Sequence, residues 1–385
     1  MSSRDSALVA IAESQASYEG GDVAFQTAEN VDSDKKKNDT YRRIALQRAR
    51  LSDFQEADLA ITYIDDDKSR DKALSQVAKL RAKQGDLKGG LKTLQSVTDP
   101  SVEDAALRAF SDELAKSGWF SSSSYVTTRI DNSREKSFAL ERLSLELAKS
   151  GDVSSSLLRT DAIPLDRIRE RALRSVSTAT ADRGAVGRAR NVAFRILSDK
   201  ERDKAYRNIV EAAASKGNHT AAFNTLQEIE DPKDKALAFV SLARSHQKNG
   251  RERKALALLE NAQKQVGQLN SVADQDVVNA GMSLAYAEAS ESGTSLNIVE
   301  KIENVRRRDV AYQKLAKAMA ARRDVESAQR SLLSISSDSL RQAAEDSVAK
   351  ILARKVPPKK AVKSSRSLHT GRQRIIFLLE VSKRS

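Results

Sequence analysis

Three histidines, a run of serines and a set of evenly spaced arginines are the side chains of this 385-residue chain with the chemistry for catalysis or tight binding. His219, His246 and His369 are the only imidazoles, and no two stand one helical turn apart, the spacing by which a helix presents a His pair to one ion. They read as lying in a turn, late in a helix and in the tail, far from one another. Ser121 to Ser124 follow Trp119-Phe120 without the Gly-x-Ser-x-Gly turn that exposes a nucleophile. Gly184, Gly187 and Gly89-Gly90 follow no strand pattern, so none of them makes a phosphate-binding loop. There is no cysteine, which excludes thiolate metal sites and disulfides. No catalytic, metal-binding or cofactor-binding residue emerges, and the expectation is a protein that is not an enzyme.

The arginines carry more. Arg42, Arg108, Arg174 and Arg207 are separated by whole multiples of one step, that from Arg174 to Arg207, and guanidinium groups capture carboxylates in a bidentate way. Lys72, Arg171 and Lys204 stand one helical turn before that position in their units, and Lys79 stands four residues after it. A stripe of this kind needs elements that repeat with the same period.

Such elements are visible. Val31, Ile64, Val97, Ile130, Ile163, Ile196 and Ile229 recur at that same step, and Ile302 and Ile335 resume the ladder. A second ladder runs through Ser52, Gly85, Gly118, Gly151, Gly184, Gly217 and Gly250. Two ladders in one register, with a period of about 33 residues, mark stacked supersecondary units. The step from Ile229 to Ile302 is seven residues too long for two units, which predicts one longer helix over 251–266. Seven residues are about two helical turns and keep the apolar stripe in phase.

Each unit reads as two antiparallel helices. In the unit at Ile64, Asp67 is placed to cap the first helix, and Ala73, Leu74, Val77 and Ala78 give it one buried face. Gly85 ends it, and Asp86 caps a second helix with Leu87, Leu91 and Leu94 on its buried stripe. Asp99-Pro100 and Asp231-Pro232 pair a cap with a proline at the first helical position. A basic–acidic dipeptide recurs early in the first helix, as in Arg70-Asp71, Arg202-Asp203 and Arg308-Asp309. It reads as charge pairing between stacked units with an acid set against the helix dipole, or else as a ligand ladder.

These slots resemble the tetratricopeptide repeat. In the unit at Ile196 they are Tyr206, Ile209, Val210, Ala213, Gly217, Ala222, Phe223 and Leu226; in the unit at Ile302 they are Tyr312, Leu315, Ala316, Met319, Arg323, Ala328 and Leu332. The first helix departs from the family in carrying Leu or Tyr where Trp is typical. The resemblance implies an all-α fold, a right-handed α-α superhelix (solenoid) of about ten helix pairs plus a final helix over 1–354. It also implies that the first helices line a concave groove for a peptide or partner protein.

Charge refines this expectation. Residues 354–385 hold ten Lys or Arg against one acid, Glu380, so most of the net +13 belongs to the last stretch and the body is near balance. The segment 355–385 reads as a basic, flexible tail, stopped from helix by Pro357-Pro358, with Ile375 to Leu379 either loose or a docking segment. At the other end, Ala7, Leu8 and Ile11 are expected to be partly uncovered or to pack on a segment upstream. No apolar run spans a membrane and no signal peptide is visible, which points to the cytoplasm. The functional expectation is a scaffold whose groove, lined by solvent-facing Arg42, Lys72, Lys79, Arg108, Arg171, Arg174, Lys204 and Arg207, binds an acidic protein or peptide without a cofactor. Backbone-directed RNA binding by the same groove and tail is the alternative, though aromatics at 4% leave little for base stacking.

Overall fold

The computed structural model describes residues 2–18, 21–354, 365, 368 and 370–383, in two compact units, Met1–Arg183 and Gly184–Ser385. Both are all-helical solenoids, in which long first helices and short second helices alternate along the chain. In the first unit the long helices are α1 (Ser2–Tyr18), α3 (Asp34–Arg50), α5 (Asp67–Lys83), α7 (Pro100–Lys116), α9 (Ser133–Ser150) and α11 (Asp166–Asp182). Between them lie α2 (Gly21–Glu29), α4 (Phe54–Thr62), α6 (Leu87–Leu94), α8 (Phe120–Thr127) and α10 (Val153–Asp161). The second unit opens on the short α12 (Val186–Phe194), followed by α13 (Asp199–Ser215), α14 (His219–Gln227), α15 (Pro232–Lys248) and α16 (Glu252–Val266). It continues with α17 (Val272–Glu288), α18 (Ser292–Val299), α19 (Val305–Ala321), α20 (Val325–Leu333), α21 (Asp338–Ala353) and α22 (Gly371–Ser382). No described helix is long and apolar enough to cross a membrane.

Two sets of buried side chains build each pair. The second helices place Ala57, Gly90, Ser123, Ser156, Ala189, Ala222, Ala255, Ser295 and Ala328 at one position of successive units, a single period apart except for the longer step from Ala255 to Ser295. The first helices place Ile44, Val77, Phe110, Leu143, Val176, Ile209 and Leu315 in full burial. Small against large lets the two helices approach closely. Where the small residue is serine, its hydroxyl bonds the facing first helix: Ser156 Oγ donates to the Ser144 carbonyl at 2.7 Å and Ser295 Oγ to that of Ser283 at 2.8 Å. Ser123 belongs to this set, with its hydroxyl on the Ser111 carbonyl at 2.9 Å, so its place in the serine run is a packing one.

The recurrent basic–acidic dipeptide has a structural role different from the expected charge pairing between stacked units. Its arginine reaches back six residues: Nη1 of Arg70, Arg169, Arg202 and Arg308, and of Arg341 at the same position before a glutamine, each donates at 3.2 Å to the carbonyl of Ile64, Ile163, Ile196, Ile302 and Ile335 in turn. The aspartate reaches forward. Asp71 accepts the Thr98 and Asp99 amides at 3.0 and 3.2 Å, and Asp309 accepts those of Ser336 and Ser337, both at 3.0 Å. Asp203 makes the same pair of bonds, as do Asp104 and Asp276, which hold that position without a preceding base. Thus each carboxylate clamps the entry to the next first helix, using amides that no helix ladder satisfies.

Cap register also differs by one residue in the unit at Ile64. Asp66 accepts the Ser69 amide at 2.8 Å, and the expected cap Asp67 is the first helical residue, paired with Arg70. Asp86, Asp99 and Asp231 cap where their sequence places them. The turn ladder adopts positive φ throughout, and it extends to Ser290 and Arg323, whose φ of 65° and 68° are costly for residues with a Cβ. Ser290→Gly is therefore expected to stabilise the protein by about 1 kcal/mol, measured as a shift in the urea midpoint.

Helix α16 spans fifteen residues against eight or nine in the other short helices. At the C-terminal end, the docking alternative for the stretch around Ile375 to Leu379 is the one seen: α22 packs against α21, burying Phe377 and Val381, with Arg372 bidentate on Asp346 at 2.8 and 2.9 Å. Ile375 and Leu379 stay exposed. Buried Leu368 lies one repeat step beyond Ile335, and Arg374 bonds its carbonyl at 2.9 Å, so α22 has the register of another first helix. Residues 355–364, with Pro357-Pro358, and His369 lie outside the described residues. On α1, Ala7 and Ile11 are exposed.

Candidate functional site

The first-helix position bearing the predicted stripe is held by the packing above: burial of Leu107, Leu140 and Leu173 turns the next residue outward on α7, α9 and α11. There the structure brings Arg108 and Arg171 together. They line a cavity of about 350 Å³ with Asp112, Phe138, Glu141 and Leu145. The Phe138 ring lies 6.0 Å from the Arg108 guanidinium, 5.7 Å from that of Arg134 and 5.6 Å from that of Arg171, within cation–π reach.

The guanidinium groups are not waiting for an external acid. Arg171 grips Glu141 with two nitrogens, and Arg108 Nε sits 2.6 Å from Glu135 Oε2 and is 3.8 Å from Asp112 at its other end. Arg42 pairs with Asp39 and donates to Gln76 at 3.2 Å, Lys204 pairs with Glu201 at 2.6 Å, and Arg207 meets the buried Asp234 at 2.5 Å. Lys72 and Lys79 are exposed on α5, Lys79 at 3.9 Å from Glu113, and Arg174 is half-buried on α11. Of the expected solvent-facing stripe, Lys72, Lys79 and Arg171 are exposed, whereas Arg42, Arg108, Arg174, Lys204 and Arg207 are half-buried. With Arg42 and Arg207 side chains only 19% and 26% exposed, these arginines are partners in a lattice of ion pairs. Removing Arg207 would strand Asp234, a structural change rather than a surface one.

Asp112 is the acid that this lattice leaves incompletely met. Its Oδ1 has no hydrogen-bond partner among the described residues, and burial, only partly offset by Arg108, Arg142 and Lys116, pushes its carboxyl up to about 6. A carboxyl raised on folding binds its proton more tightly in the native state. Its destabilising effect is absent below the unfolded value near 4, grows as pH rises to about 6, and persists at pH 7. Asp112→Asn should accordingly raise stability at pH 7 by about 1–2 kcal/mol and flatten the pH dependence between those values, in denaturant titrations at several pH values.

Sequence reasoning missed a second constellation. His219 and His246, read as far apart, stack in the second unit with ring centroids 4.0 Å apart. Arg251 can only donate, so His219 Nδ1, 3.1 Å from its Nη1, is an acceptor. The neutral ring then carries its proton on Nε2, which donates to Ser245 Oγ at 3.0 Å, and that hydroxyl donates to the Ala214 carbonyl at 2.5 Å. Burial, then Arg251 and Lys254, hold His219 below its usual range; burial, then His219 and the same cations, lower His246 to about 4. No group of His, Cys, Asp and Glu suited to a metal occurs among the described residues.

Comparison with known proteins places the chain in no family. No family model matches it, and no curated protein does. Among solved structures it is similar to Ton1535 from Thermococcus onnurineus NA1, at 13% identity and a TM-score of 0.31 over 80% of this chain and 99% of that one. A circular tandem repeat protein with novel repeat topology and enhanced subunit contact surfaces also aligns, at 13% identity and a TM-score of 0.18, over 98% of this chain and 75% of that one.

Proposed function

We propose that the chain is a non-enzymatic interaction scaffold of the tetratricopeptide type, a right-handed α-α superhelix that binds a polypeptide segment on its first-helix face at the cavity around Phe138. The tetratricopeptide reading is supported by slot occupancy: Tyr206, Ile209, Val210, Ala213, Ala222 and Leu226 are all buried. Phe223, exposed at 44%, departs from the pattern.

One observation carries the choice of a polypeptide: the cavity presents cations and an unmet carboxylate oxygen side by side. An extended peptide brings acceptors and N–H donors in alternation, so a carboxylate side chain meets Arg108 and Arg171 while an N–H meets Asp112 Oδ1. A phosphate backbone brings negative charge to Asp112 and Glu141 as well as to the arginines, which weakens the nucleic-acid alternative. The bound acid exchanges with Glu135 and Glu141 for the guanidiniums, so affinity comes from complementarity around Phe138 more than from net charge.

The test is selection from a displayed random peptide library on the purified chain. Selected peptides are expected to carry a carboxylate. The Arg108→Ala, Arg171→Ala double variant should then bind them at least tenfold more weakly, with unchanged helical circular dichroism. Undiminished binding by that variant would place recognition elsewhere on the chain.

A further inference from the structure

The lengthened helix α16 borders a second cavity, of about 460 Å³, among α14, α15 and α16 of the second unit. Buried Leu242 and Leu258 give it apolar wall, extended by the Phe223 ring and Ala257. Arg251 and Lys254 stand exposed beside that wall, and Asn261 lines the cavity from the part of α16 that the other short helices lack.

His246 is the telling residue. It is only 7% exposed, it lines this cavity, and its Nδ1 meets no hydrogen-bond partner among the described residues. The stacked His219 beside it has both ring nitrogens engaged, by Arg251 and by Ser245. A buried polar atom left unmet is costly, and a ligand atom placed there recovers that loss. A metal ion does not suit the place, because His219 offers it no nitrogen and two cationic side chains adjoin it. An anion does suit it. The apolar wall and the flat face of Phe223 ask for a body that is itself flat and apolar.

We propose that this cavity binds a small organic anion with a flat apolar body, its charged group held by Arg251 and Lys254 and one of its polar atoms hydrogen-bonded to His246 Nδ1. Carboxylates and phosphates share the required chemistry. With the imidazole of His246 kept neutral by burial, the anion's charge is answered by Arg251 and Lys254, and His246 contributes a directed hydrogen bond.

The experiment uses the full chain with isotope-labelled histidine and reads the ring Cε1–H signals of its three imidazoles, His369 serving as the internal control. The probes are 1-naphthoate, 1-naphthyl phosphate and the uncharged 1-naphthamide. One or both anions are expected to shift the His219 and His246 signals saturably and leave that of His369 in place; which anion binds tighter distinguishes the two sources of charge. The amide should bind at least tenfold more weakly, a difference of about 1.4 kcal/mol. Lys254→Gln, which touches no hydrogen bond of His219, should shrink that preference, and Ala257→Trp, on the exposed part of the wall, should abolish all binding. The proposal is overturned if neither anion gives a saturable shift at millimolar concentration. It is equally overturned if the amide binds as well as the anions, or if the shifts survive Ala257→Trp.

Discussion

Asp71→Ala is expected to destabilise the first unit by about 2–4 kcal/mol, the larger of the two strongest effects anticipated here. The substitution strands the Thr98 and Asp99 amides and the Thr98 hydroxyl, all of which Asp71 accepts at 3.0–3.2 Å from a side chain 3% exposed. Asp71→Asn keeps one acceptor oxygen and should lose about half as much. The chain itself contains that intermediate: Asn38 accepts only the Asp65 amide, at 3.0 Å, in the equivalent place. In a stacked array the loss is local before it is global, so amide hydrogen exchange is the appropriate measurement. Thr98 and Asp99 should exchange at the rate of exposed amides in Asp71→Ala, ahead of any change in the neighbouring helices. Protection that persists there would mean that the clamp contributes nothing.

Gly90→Ala is the second, and its sign runs against helix propensity. Alanine in a helix interior normally gains up to about 1 kcal/mol over glycine. At Gly90, however, a Cβ would stand 2.2 Å from two ring carbons of Phe110, which is 1% exposed and has nowhere to go. Overpacking of this kind costs about 1–3 kcal/mol, so a net loss of about 2 kcal/mol is expected in urea unfolding. Phe110→Leu should rescue it, since leucine is the residue one repeat later at Leu143. A double-mutant cycle with coupling near zero would show that the two positions do not compensate.

The repeat and the caps Asp86, Asp99 and Asp231 were legible because each is a local pattern written at one period, and the longer helix because it interrupts that period. What escaped had partners a repeat away. Arg108 finds Glu135 and Arg207 finds Asp234, each 27 residues on, so a stripe that reads as basic along one helix is neutralised by the next. His219 and His246 stand at the same separation and stack, which spacing within a single helix could not reveal. At the C-terminal end the signal was present. Leu368 and Arg374 continue the spacing of Ile335 and Arg341, but Pro357-Pro358 and the basic run between drew the boundary too early. Asp112 was visible only as one more charge; its unmet oxygen and raised carboxyl depend on burial, which has no local signature.

The central claim, that the first-helix face binds polypeptide rather than nucleic acid, is tested most directly by one salt titration with two labelled ligands. These are a carboxylate-bearing peptide from the library selection and a single-stranded RNA of matched length. The peptide should bind more tightly at physiological salt, with a shallow dependence on salt, and should lose at least tenfold in the Arg108→Ala, Arg171→Ala variant. RNA should bind weakly, lose affinity by about 0.7 log units per log unit of salt for each phosphate engaged, and be indifferent to that variant. RNA binding tighter than the peptide, and abolished by the same two substitutions, would contradict the account.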